Sequence, residues 1–93
     1  MVKIIWSELA IDDLRNIHQY ISQDSIKYAS KQVERIISRI DQLEHFPNSG
    51  RIVPEFENKG IRELIEGSYR IVYRLYSDHL LIARVHHSSK QIK

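Results

Sequence analysis

The apolar positions of the chain follow two periods, and the switch between them divides it. From Ala10 to Leu43 apolar residues return every three or four positions, while from Ile61 to His87 they alternate. Ahead of the first period, Val2 to Trp6 is a β-branched and aromatic run that predicts a strand. Ser7 is a good N-cap, and Glu8, Asp12 and Asp13 sit near the positive end of the helix that follows. Ala10, Leu14, Ile17 and Ile21 predict an amphipathic helix over about residues 8–22. The Ser22–Ser25 stretch breaks it, and Asp24 or Ser25 can cap the next. In that second helix Ala29, Val33, Ile36, Ile37, Ile40 and Leu43 form one continuous apolar face, with Lys31, Glu34, Arg35, Arg39 and Asp41 mostly on the others. Pro47 forbids continuation and Gly50 permits a turn, so the two helices form a hairpin.

Residues 51–60 read as a loop, with Pro54 and the Asn58-Lys59-Gly60 turn signal. Ile61 to Glu66, Tyr69 to Tyr76 and Leu80 to His87 then read as three strands, the last two joined tightly through Ser77-Asp78. The order is β-α-α-β-β-β. Its economical solution is an α+β fold: the helical hairpin packed on one face of a mainly antiparallel four-stranded sheet. At 93 residues this is a single domain, 1–93, with a modest core and room for a partner to add stability. No repeat, linker or low-complexity segment interrupts it.

Composition narrows the chemistry. The chain has no cysteine, which excludes disulfides and thiolate catalysis and fits a reducing cytoplasm. Its opening apolar run is too short for a signal peptide or a membrane span, so no membrane partner is expected. The net charge of +2 hides an asymmetry. Residues 1–58 hold seven Lys and Arg against nine Asp and Glu, whereas residues 59–93 hold seven against three. An anionic partner is therefore sought on the C-terminal half.

Strict alternation sorts the strand residues by face. Tyr69, Ile71, Tyr73 and Leu75 make the better core face, so Arg70, Val72, Arg74 and Tyr76 look away from the helices. In the last strand Leu80, Ile82, Arg84 and His86 share a side, opposite Leu81, Ala83, Val85 and His87. With Arg62 on the preceding strand, the open sheet face carries several guanidiniums beside tyrosines. Such a face either stays solvated or binds phosphate or carboxylate through its guanidiniums, with tyrosine to stack or pack. His86 and His87 point to opposite faces and cannot chelate one ion; His18, His45 and His79 show no ligand spacing, so no metal or other cofactor is expected. One of the pair could act as a general acid or base. The chain has no glycine-rich phosphate loop and no nucleophile elbow.

At this point the residues resemble the RelE/ParE superfamily of small toxins. The resemblance is carried by Trp6 with Ala10, Asp13-Leu14, Ile17 and Tyr20-Ile21. It continues through Pro47 with Gly50-Arg51, Arg62-Glu63-Leu64, Tyr69-Arg70-Ile71-Val72-Tyr73 and Val85-His86-His87. It implies the same strand, helical hairpin and three-strand meander, and the toxin half of a toxin–antitoxin pair. It further implies a cognate antitoxin whose flexible C-terminal segment folds on the toxin, over the exposed sheet face and the grooves along the helical hairpin. Operator DNA is reached only through that antitoxin. The superfamily divides in mechanism. ParE-like members resemble non-catalytic inhibitors that trap DNA gyrase on cleaved DNA; RelE-like members are endoribonucleases that cut mRNA on the ribosome. Under the nuclease reading, Arg62 and Arg70 match phosphate-binding arginines, His86 or His87 supplies acid–base chemistry, and Glu55 is a loop acid. Against it, only Lys59 stands near the place of the paired loop lysines, and the tail after His87 has no tyrosine to stack a base. Ser88-Ser89 also replaces the usual basic residue after the terminal histidine. The Trp-initiated helix and the Tyr-Arg-Ile-Val-Tyr strand lie closer to the ParE-like branch. The expectation is therefore a gyrase inhibitor, with Arg62, Arg70, Arg74, Tyr76, Arg84 and His86 as the face for antitoxin or target; ribosome and mRNA are the alternative partners.

Overall fold

Ser7 and Ser25 set the two helices. In this computed structural model, which describes residues 1–56, 58 and 60–88, β1 (Lys3–Trp6) ends one residue before Ser7. The Ser7 hydroxyl accepts from the Ala10 N–H at 3.0 Å and donates to the Ala83 carbonyl at 2.8 Å. It thereby caps α1 (Glu8–Ser22) and ties the start of that helix to the sheet. Ser25, rather than Asp24, caps α2 (Ile26–Asp41) by accepting from the Tyr28 N–H at 3.1 Å. A 3₁₀ turn at Gln42–Glu44 then keeps Leu43 buried before Pro47 stops the run. Lys59 and the tail from Ser89 onward lie outside the described residues.

The remaining strands are β2 (Arg51–Ile52), β3 (Ile61–Glu66), β4 (Tyr69–Leu75) and β5 (His79–His87). The sheet order is β1-β5-β4-β3-β2, antiparallel throughout except that β1 runs parallel to β5. The α+β class and the element order are those expected, but the sheet has five strands instead of four. The fifth, β2, occupies two residues of the segment read as a loop and pairs Arg51 with Glu63 and Ile52 with Arg62. A two-residue edge strand has no period for sequence reading to detect.

A second correction concerns β5. Val72 lies opposite Arg84 but Tyr73 lies opposite Ile82, so Ala83 is the extra residue of a β-bulge. The bulge re-phases the strand: Leu80 and Ile82 before it and Val85 after it all enter the core. Strict alternation had put Val85 on the side opposite Leu80 and Ile82, and Arg84 with them. β1 also runs out here, at the Trp6–Ile82 pair. From that point α1 serves the open edge of β5: the Ser7 N–H donates to the Ile82 carbonyl at 3.0 Å, and Asp13 accepts from the Val85 N–H at 2.8 Å.

The core joins Ala10, Ile36, Ile40 and Leu43 of the helical layer to Leu64, Ile71, Tyr73, Leu80, Ile82 and Val85 of the sheet. Ile37, expected on the apolar face of α2, is 38% exposed, and Gln32 is buried instead. The Tyr73 hydroxyl, fully buried, donates to the Pro47 carbonyl at 2.8 Å and accepts from the Gly50 N–H at 2.9 Å. This pins the turn after the helices to the middle of the sheet. Among the described residues no helix is long and apolar enough to cross a membrane.

Candidate functional site

Leu64 enters the core, so its strand neighbour Glu63 points to the sheet face away from the helices, together with Val72 and Arg70 of β4. Glu63 is nonetheless only 1% exposed. Its carboxylate accepts from Arg51 Nε at 2.5 Å, from Arg70 Nε at 2.7 Å, and from Arg70 Nη2 through a short contact. Arg70 Nη2 also donates to Glu55 at 3.3 Å, which reaches in from the loop after β2. The Arg70 side chain keeps 12% of its surface. Burial pulls its guanidinium down, but hydrogen bonds and charge from Glu63 and Glu55 outweigh this and hold it above its ordinary range. Two carboxylates and two guanidiniums thus cancel on what was expected to be an open, positive face.

The other candidates separate by face. Arg62 is opposite Tyr73 on the core side of β3, not with Arg70, and its Nη1 donates to the Gly50 and Asn48 carbonyls at 2.9 and 3.2 Å. The expected grouping of Arg62 with the outer arginines is corrected accordingly. Arg74 lies outward and exposed, its guanidinium 5.1 Å from the Tyr76 ring centroid, and Tyr76 stacks on His79 at 4.5 Å. That pair belongs to the β4–β5 hairpin end, away from Arg70. Arg84 turns to the sheet edge, where Nε and Nη2 meet Asp13 at 2.9 and 3.0 Å. His86 is opposite Arg70 on the neighbouring strand; His87 is opposite Tyr69, with their rings edge-on at 5.5 Å.

Along the open edge of β5 runs a groove of about 530 Å³. Asn16, Ile17 and Tyr20 of α1 form one wall, and Tyr69, His86 and His87 the other, with Asp13 at its floor. Burial pushes the Asp13 carboxyl up, but the hydrogen bonds from Arg84 and the Val85 N–H, with the charges of Arg84 and His86, bring it below the usual carboxylate value. Sequence reasoning places Asp13 as a helix-end charge and within a motif, and Glu63 only within a motif. The signal for Glu63 was present: it alternates with Ile61 and Ile65, an acid on a face that also carries aliphatics. Among the described residues no group of three or more His, Cys, Asp and Glu could hold a metal.

A helical hairpin on one face of a largely antiparallel sheet, with the first strand parallel to the last, defines a class of small α+β proteins. The family described as "ParE toxin of type II toxin-antitoxin system, parDE" matches residues 4–92, and the chain belongs to that family. It is thus a type II toxin–antitoxin toxin of the RelE/ParE superfamily. Toxin RelE2 of Caulobacter vibrioides is 28% identical over 91 residues, covering 97% of this chain and 99% of that protein. A chromosomal ParDE system from P. aeruginosa superposes with a TM-score of 0.77 at 26% identity, over 94% of this chain and 96% of that one. YoeB from Staphylococcus aureus (TM-score 0.65, 18% identity, 92% and 95% covered) shares the fold. So does E. coli YafQ in its complex with DinJ (0.66, 15%, 94% and 93%).

Proposed function

We propose that the chain inhibits DNA gyrase without catalysis and is neutralised by a cognate antitoxin. The observation that carries this is the state of Arg70. Cutting RNA through its 2′-hydroxyl requires a base, an acid and cations free to meet the charge that develops on phosphorus. Arg70 already gives two of its nitrogens to Glu63 and Glu55, and Arg62 faces the core with Nη1 on two carbonyls. A phosphate at Arg70 would have to displace the buried Glu63 carboxylate as well as the exposed Glu55. The family match and the likeness to the ParDE toxin support the same reading.

One observation favours the alternative, ribosome-dependent cleavage of mRNA: Glu55, Arg70 and His86 fall in one patch, an acid, a cation and an imidazole. Supercoiling by purified gyrase, run beside mRNA cleavage on ribosomes, separates the two. Loss of supercoiling with intact mRNA is expected; cleavage with gyrase unaffected would reverse the assignment.

For the antitoxin, the α1–β5 groove supports docking of an extended C-terminal segment. Among the described residues no strand pairs with this edge of β5 beyond Ile82. Ser7 and Asp13 already occupy the Ile82 and Ala83 carbonyls and the Val85 N–H, so docking there draws chiefly on the side-chain contacts of the groove. Inducing the chain alone is expected to arrest growth, and co-induction with the small gene beside it to restore growth.

A further inference from the structure

Ion pairing neutralises three of the six cations on the strands. Arg51 and Arg70 are held by Glu63 and Glu55, and Arg84 by Asp13. The cations left over concentrate on α2, where Lys27, Lys31, Arg35 and Arg39 occupy every fourth position. None of the four has a carboxylate within ion-pair distance among the described residues. The helix buries Ala29, Gln32, Ile36 and Ile40, so Lys27, Lys31 and Arg35 stand exposed on its solvent side. Arg39 is half-buried on the flank and donates to the Gln42 amide oxygen at 3.0 Å. With a rise of about 1.5 Å per residue, neighbouring cations stand about 6 Å apart along a row of about 18 Å. Lys31, Arg35 and Arg39 line a shallow groove of about 440 Å³, with Ser38 and Gln42 as neutral donors and Glu34 and Glu66 as its acids.

We propose that this row docks on the phosphate backbone of duplex DNA without reading bases. A row held on one rigid helix, along a ridge inclined to its axis, suits a stiff duplex, whose persistence length is about 50 nm, better than a flexible strand. Among the described residues no aromatic side chain lines the groove, so unpaired bases find no stacking platform. Unpaired Lys and Arg displace counterions from phosphates and give affinity that does not depend on sequence. The choice of DNA over RNA rests on the gyrase reading, since a chain that acts on gyrase meets duplex DNA there.

The test is fluorescence anisotropy of a labelled DNA duplex with the full chain freed of antitoxin, over about 50–200 mM salt. Lys31→Gln/Arg35→Gln/Arg39→Gln is expected to weaken binding and to flatten the log–log salt slope by roughly 0.9 per cation removed. Glu34→Gln, an exposed change that cannot be mistaken for unfolding, is expected to tighten binding. An unchanged thermal melt certifies the triple variant. Absence of duplex binding by the unmodified chain overturns the proposal, as does a triple variant that binds equally well, or a row that captures an acidic peptide or duplex RNA in preference to DNA. Duplex binding that depends on the row, in a chain that leaves gyrase unaffected, upholds this surface and sinks the gyrase reading. Gyrase inhibition by a chain with no duplex affinity does the opposite.

Discussion

Gly50 occupies a position that no other residue fits. A Cβ there would lie 2.5 Å from the Tyr73 hydroxyl oxygen, and 2.7 Å from both the Glu63 carbonyl oxygen and a Tyr73 ring carbon. The clash falls on β3 backbone and on a fully buried ring, neither of which can swing aside. Gly50→Ala is therefore expected to cost about 1–3 kcal/mol, as overpacking does, and urea unfolding would measure it. Tyr73→Phe removes the partner of both the Pro47 carbonyl and the Gly50 N–H, and about 1–3 kcal/mol is expected for stranding buried polar groups. Asp13 carries a pH dependence of known sign. Its carboxyl is depressed from the ordinary 3.8 by Arg84 and the Val85 N–H, against the opposing effect of burial. A depressed acid stabilises the folded chain fully above its unfolded value, and that contribution drains as pH falls through the lower, folded value. Asp13→Asn should thus be less stable at neutral pH, and the two unfolding midpoints should converge below pH 3.8. A gap that persisted in acid would mean that shape rather than charge holds the bulge.

At the scale of elements, β3 and β4 are joined by the Glu63 cluster as well as by their ladder. Breaking a buried ion network by deleting one partner typically costs about 3–5 kcal/mol, whereas replacing the partners together with apolar groups can be neutral. Glu63→Ala should therefore be severely destabilising, and Glu63→Leu/Arg70→Met should recover most of the loss; a double-mutant cycle in urea reads the coupling directly. The helices, β1 and the last three strands were legible because each is long enough to show its period and begins or ends on a capping or turn residue. β2 and the bulge at Ala83 were not: two residues have no period, and one inserted small residue leaves the local composition of a strand intact. The site was half legible for a related reason. In β4 the core face is obvious from Tyr69, Ile71, Tyr73 and Leu75. In β3 both faces carry aliphatics, Ile61 and Ile65 on one and Leu64 on the other, so parity alone could not place Arg62. It lands on the helix side, while Glu63 lands under Arg70. Which charges cancel depends on the register between strands, and register is a property of the assembled sheet.

The whole molecule leaves apolar surface uncovered around its helical hairpin: Tyr20 is 74% exposed, Ile26 70% and Tyr28 53%. Tyr20 and Tyr69 line the α1–β5 groove and mark its mouth. Burial lifts the Tyr69 hydroxyl above its ordinary value, and the Tyr28 and Tyr20 phenols add to the shift. A chain of 93 residues buries little for its length, so a partner that covers this mouth adds stability by mass action. The melting temperature is therefore expected to rise with antitoxin concentration. Tyr20→Asp should reduce that rise and weaken antitoxin affinity by about tenfold or more, as loss of an aromatic anchor of about 1.4 kcal/mol or above would. Because Tyr20 is so exposed, the free chain should melt at an unchanged temperature, which separates lost docking from lost folding. Growth gives the cellular reading of the same variant: arrest on induction should persist, while rescue by co-induced antitoxin should fail. Full rescue of Tyr20→Asp at low antitoxin levels would move the docking surface away from this groove.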